Sequence, residues 1–136
     1  MAHTVQILKT HPSPQSQPLE DFAATIHAMQ DCAQSCISCA DACLSESDMQ
    51  ALLRCIRLNL DCADVCTTTA NILSRPSMAA PEIWKSQLQA CVIACRVCAE
   101  ECERHASKHE HCRLCAEACR ECEQGCNDVL SLTPRH

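Results

Sequence analysis

The chain has no Tyr, one Phe and one Trp in 136 residues. An aromatic core is therefore excluded. Gly occurs once, which argues against the loop-rich scaffolds of small secreted disulfide proteins. No apolar run approaches the ~18 residues of a membrane span, so no membrane partner is expected. An excess of basic residues is also missing. Eleven Lys and Arg face 17 Asp and Glu, for a net charge of −6 with His neutral, so no nucleic-acid partner is expected. The opening "MAHTVQILKTHPSPQSQP" has neither the roughly 7–15-residue apolar stretch of a signal peptide nor a twin arginine. It reads as a polar, Pro-bearing tail, flexible over residues 1–17. The expected compartment is then the cytosol, where thiols stay reduced.

What is abundant is cysteine, with 16 residues. Their spacing is regular. "CVIACRVCAEEC", Cys91 to Cys102, sets four thiols at steps of four, three and four. Such steps place side chains on one face of an α-helix, with neighbouring Cβ atoms about 5–6 Å apart.

Four segments carry this period. The first runs from about Pro18 to Leu44, with Pro18 at the first helical position and Glu20 and Asp21 at the positive end of the helix dipole. Its stripe reads Phe22, Ile26, Met29, Cys32, Cys36, Cys39, Cys43. The second opens on "SDMQ", a capping box with Ser47 as N-cap and Gln50 reaching back. Its stripe is Leu52, Cys55, Asn59, Cys62, Cys66, Leu73, and "RPSMAAP" ends it. The third begins near Pro81 and carries Trp84, Leu88, Cys91, Cys95, Cys98, Cys102, His105. The fourth follows a second capping box, "SKHE" from Ser107 to Glu110, and carries Cys112, Cys115, Cys119, Cys122, Cys126, Val129. Gly125 lies inside it, at a cost of about 1 kcal/mol relative to Ala; it marks either a close helix approach or nothing.

Helices of this length joined by short turns are expected to form an all-α, antiparallel up-down-up-down four-helix bundle over residues 18–132, with a Cys-lined core. The topology gathers Phe22, Ile26, Leu73, Trp84, Leu88, Val129 and Leu130 at one end as a dry plug. The other end gathers Met49, His105, His109 and His111. His105 and His109 lie on the stripes of Cys102 and Cys112 and can face inward. His111, adjacent to Cys112, is expected to point partly away, and the remaining charged side chains to form a solvated face.

Several chemistries compete for such thiols. Cys as a small core hydrophobe would leave a bundle lined by side chains little larger than Ala, hence badly packed or meant to be filled. Disulfides within a helix are disfavoured, because i,i+3 and i,i+4 Cβ atoms stand farther apart than the ~3.8 Å a bridge wants. Iron–sulfur motifs sit on loops, and structural zinc sites close with four ligands each. A thiol redox enzyme or buffer needs an exposed, low-pKa Cys beside a resolving partner; Cys112 and Cys115 are the nearest pair. A copper chaperone needs few ligands and a docking surface. Soft thiolates select Cu(I), which accepts two or three of them. With thiolates bridging, capacity approaches one ion per thiol, on the order of 16. Equal numbers of Cu(I) and thiolate also leave the core near neutral. This favours a non-enzymatic store of many Cu(I) ions, with zinc or iron–sulfur binding, or a thiol redox buffer, as the alternative.

The tandem runs on all four segments resemble the bacterial copper storage proteins, in their cytosolic branch, over roughly residues 18–130. The resemblance implies a bundle filled with Cu(I), often a homotetramer, that sequesters copper. It also implies that copper is admitted at one end, where His or Met supplements Cys; the matching positions are Met49, His105 and His109. The second segment departs from the pattern. It holds three Cys, with Asn59 where a fourth would stand, either as an oxygen ligand or as a spacer.

Overall fold

In a computed structural model, which describes residues 2–12, 19–77 and 80–132, the three-and-four periodicity becomes four long helices. These are α2 (Leu19–Leu44), α3 (Leu53–Leu73), α4 (Pro81–His105) and α5 (Glu110–Leu132), preceded by a short α1 (Ala2–Lys9). No strand occurs among the described residues. Each long helix packs on the two beside it, α2 on α3 and α5, and α4 on α3 and α5. Among the described residues, helices across either diagonal make no close backbone approach. The arrangement is a square, and the sulfurs fill its axis.

The ends of the helices follow simple causes. Pro81 opens α4 at its first turn, where a missing N–H costs nothing. Glu20 and Asp21 occupy the first turn of α2, as expected, while Pro18 lies outside the described residues. Neither capping box forms as expected. Before α3 the chain makes a 3₁₀ turn, Met49–Leu52, preceded by Asp48, which makes no side-chain cap; its carboxylate is held by His109 instead. At the second site the backbone N–H groups of Lys108 and His109 both turn back to the His105 carbonyl, and the Glu110 carboxylate is taken by Arg113. At the second site a local charge partner thus wins over the cap.

The expected polar tail over residues 1–17 differs from the structure in its first part. Residues 2–9 are helical, and Leu8 is buried with Val5 packed beside it. Val5 and Leu8 are three apart and so share a face, which docks on α2. Residues 13–17 of that expectation lie outside the described residues.

The apolar plug forms as the topology requires. Phe22, Ile26, Leu73, Trp84, Leu88 and Val129 are buried and Leu130 packs on them. Met29 is fully buried one turn below. Gly125 does mark a close approach. A Cβ there would lie 3.3 Å from Thr25 Oγ1, and the Thr25 hydroxyl donates to the Gly125 carbonyl at 3.3 Å. Helices α2 and α5 are drawn together at the closed end. Leu88 is fully enclosed in that plug, so Leu88→Ala should cost about 2–5 kcal/mol. The expected readout is a lower melting temperature of the reduced, metal-free protein by circular dichroism, roughly 2–6 °C per kcal/mol.

Candidate metal centre

All sixteen cysteines are buried and none is bridged. The closest sulfurs, Cys55 with Cys102 and Cys66 with Cys95, stand 3.6 Å apart, far beyond the ~2.05 Å of a disulfide. Sulfur contacts recur along the bundle, interrupted at Asn59. Cys66 meets Cys91 at 3.9 Å and Cys122 at 3.8 Å. Cys32 lies 3.9 Å from Cys62 and 3.7 Å from Cys119. Cys36 lies 3.7 Å from both Cys119 and Cys115, and Cys39 lies 4.0 Å from Cys43 and Cys112.

Several groups of three or four sulfurs converge closely enough to share one ion. They include Cys32, Cys66, Cys95 and Cys122; Cys32, Cys36, Cys62 and Cys119; Cys36, Cys98, Cys115 and Cys119; and Cys39, Cys55 and Cys102. These groups overlap. Cys32, Cys36 and Cys119 each belong to two of them. A sulfur claimed by two sites must bridge two ions, which independent four-ligand zinc shells do not require.

The packed thiols share protons unequally. Hydrogen bonding to Cys119 holds Cys32 and Cys62 well below the usual thiol range. Hydrogen bonding to Cys102 does the same for Cys115 and Cys55. Their partners are driven the other way: Cys119 and Cys102 are each pushed up, chiefly by Cys115. Nearer the open end burial dominates, raising Cys112 and lifting Cys43 to about 11. The low members are spread along the tube, and each has a protonated neighbour.

Asn59 sits inside this network, fully buried. Its Oδ1 accepts from the thiols of Cys98 at 3.0 Å and of Cys102 and Cys115 at 3.4 Å. Its Nδ2 lies 3.9 Å from Cys55 Sγ. It therefore occupies the register of a missing Cys and touches thiols of three helices, α3, α4 and α5.

The open end departs from the expected arrangement of histidines. His105 and His109 do reach the mouth, but their nitrogens are held by carboxylates. His105 Nε2 pairs with Glu101 at 2.8 Å. His109 uses both ring nitrogens, on Glu46 and Asp48, each at 3.0 Å. The bond to Asp48 raises the His109 pKa and lowers that of Asp48. His111, expected to point partly away, turns inward. Its Nδ1 lies 3.3 Å from Cys39 Sγ and 3.6 Å from Cys112 Sγ, and its Nε2 meets Glu46 at 2.8 Å. The two rings of His109 and His111 stack at 5.5 Å. Glu46 draws both histidines to one loop, which a helical wheel cannot anticipate. Met49 is half-buried against the core.

Glu101 corrects the reading of the acidic residues as a solvated face. It is buried at 6% exposure and meets Arg54 at 3.3 Å and Arg104 at 3.8 Å besides His105. Its one sequence signal is its place beside Cys102, four residues before His105.

Comparison with known proteins agrees with this geometry. The family model described as copper storage protein matches residues 19–131. A structure of the copper storage protein Ccsp from Streptomyces lividans, loaded with 10 copper equivalents, is 46% identical with a TM-score of 0.93, covering 96% of this chain and 99% of that one. The Cu(I)-bound copper storage protein BsCsp3 is 34% identical with a TM-score of 0.71, covering 81% of this chain and 98% of its own. The uncharacterized cysteine-rich protein YhjQ of Bacillus subtilis is 36% identical over 108 residues, 79% of this chain and 94% of that protein. A thiol-lined bundle of this register, matched over nearly its whole length by copper-loaded structures, places the chain in the copper storage protein family.

Proposed function

We propose that this protein stores and buffers Cu(I) in the cytosol, through thiolates that bridge successive ions along the bundle axis. The observation that carries the reading is that all sixteen thiols are buried and unbridged, with overlapping ligand groups among them. Cu(I) suits it because the ion is soft and satisfied by two or three sulfurs. An ion for each thiolate leaves the interior near neutral, whereas bare thiolates there would be costly. The cytosolic assignment rests on likeness to a protein described as a cytosolic copper storage protein from Streptomyces lividans.

Copper enters at the mouth in this reading. Met49, His105, His109 and His111 hand ions to Cys39, Cys43, Cys55, Cys102 and Cys112, and the apolar plug closes the far end. Exchanging a carboxylate partner for copper frees a nitrogen on His105 or His109. Asn59 supplies an oxygen among the thiolates. The role is that of a store, with no catalytic step.

Four chains assemble in this reading, as the family resemblance implies. Ile37, Leu44, Leu60 and Ile93 remain 45–55% exposed on the outer faces, which gives such an assembly apolar surface to bury. Light scattering coupled to size exclusion should give a mass near four chains, and a monomer would contradict it.

Titration of the reduced protein with Cu(I) against a strong competing chelator should saturate on the order of 16 ions per chain; saturation at one or two would overturn storage. Most of these thiols are protonated when empty, so loading releases protons. Affinity should therefore weaken as pH is lowered, about tenfold per pH unit for each proton released per ion. Asn59→Ala removes the acceptor of three buried thiols and should destabilise the empty protein by about 1–3 kcal/mol, measured by urea unfolding.

A further inference from the structure

At the mouth, one donor group differs in kind from the sulfur groups that fill the tube. Cys39, Cys43 and Cys112 form an equilateral triangle of sulfurs with all three sides 4.0 Å. His111 caps it, with Nδ1 3.3 Å from Cys39 and 3.6 Å from Cys112. All four donor atoms lie within 4.8 Å of one another. A tetrahedral ion with ~2.3 Å bonds to sulfur needs S···S edges of ~3.8 Å, which the triangle already nearly provides. The His111 Nε2 lies 2.8 Å from the Glu46 carboxylate. A proton held there leaves Nδ1 with a bare lone pair aimed at the sulfurs, the carboxylate–histidine arrangement that orients imidazole ligands of divalent ions.

We infer that these four residues form a zinc site at the mouth of the empty store, a Cys₃His tetrahedron closed by His111 and oriented by Glu46. Cu(I) is content with two or three sulfurs and gains little from a fourth, harder donor. Zn²⁺ takes four ligands and accepts thiolate and imidazole together. Charge points the same way. Three thiolates with a monovalent ion retain two negative charges, whereas a dication leaves one, beside carboxylates at Glu46 and Asp48 that face the same histidine pair. Binding is balanced by loss of the three thiol protons. Cys39 also belongs to the Cys39–Cys55–Cys102 group, so the site adjoins the bridged tube through that sulfur. It ties α2, through Cys39 and Cys43, to α5, through His111 and Cys112. His111 is 26% exposed, so an ion can arrive from solvent. Cu(I) arriving later competes for the same three sulfurs.

The test uses the full chain, reduced and copper-free, so its outcome is independent of the storage reading. With one equivalent of Zn²⁺, X-ray absorption should show three sulfurs and one imidazole nitrogen around zinc. In competition with a zinc chelator, Glu46→Gln should weaken that first equivalent 10–100-fold, the usual effect of losing such a support, and His111→Ala at least as much, with helical content checked by circular dichroism. A four-sulfur shell on the first equivalent, no zinc binding at all, or a His111→Ala affinity within twofold of the parent would overturn the site.

Discussion

Sulfur packed against sulfur across a square of helices is the constraint on which everything else rests. Cys is small, and four stripes of it cannot fill a bundle as Leu and Phe would. The chain offsets this at one end, where Ile26, Leu73, Trp84 and Leu88 pack as an ordinary core. Gly125 helps by letting α2 and α5 close on Thr25. Below that plug the helices are held at a spacing set by thiols 3.6–4.0 Å apart. The apolar half stabilises the fold, and the sulfur half is free to be altered chemically.

Buried polar groups are handled with similar economy. Asn59 is the main polar side chain within the sulfur column, and its two ends are used by four thiols. At the mouth the acids do the positioning. Glu46 serves two histidines, Asp48 one, and Glu101 joins His105 to two arginines. Each imidazole is thereby fixed in direction before any ion arrives. Salt screens the half-exposed pairs, so their value lies in aim more than in strength.

Much of this was legible in the sequence. The step pattern of "CVIACRVCAEEC" and its counterparts determined the helices, the inward face and the plug, because a period of three and four leaves a stripe no alternative on a helix. The odd register of Asn59 was also visible. What escaped were features set by contacts between distant segments. Glu46 lies in a turn and meets His109 and His111 more than sixty residues away, so no local pattern signals it. The same contact reversed the expected direction of His111. The first capping box, Ser47 with Gln50, gave way to a 3₁₀ turn entered at Asp48, and the second lost its Glu110 to Arg113. The helix at Ala2–Lys9 was hidden by a polar, Pro-bearing context, although Val5 and Leu8 carried its apolar face.

The apolar plug has one more consequence. Among the described residues, a column sealed at Leu88 and Trp84 with its histidines at the other end is, in the proposed reading, a blind alley that ions would enter and leave by the same mouth. With entry at the mouth, as proposed, copper that moves inward would come to rest deepest beside Cys91 and Cys126 and would leave last. Such a protein would keep a quickly exchanged ration at its threshold and a slow reserve behind it.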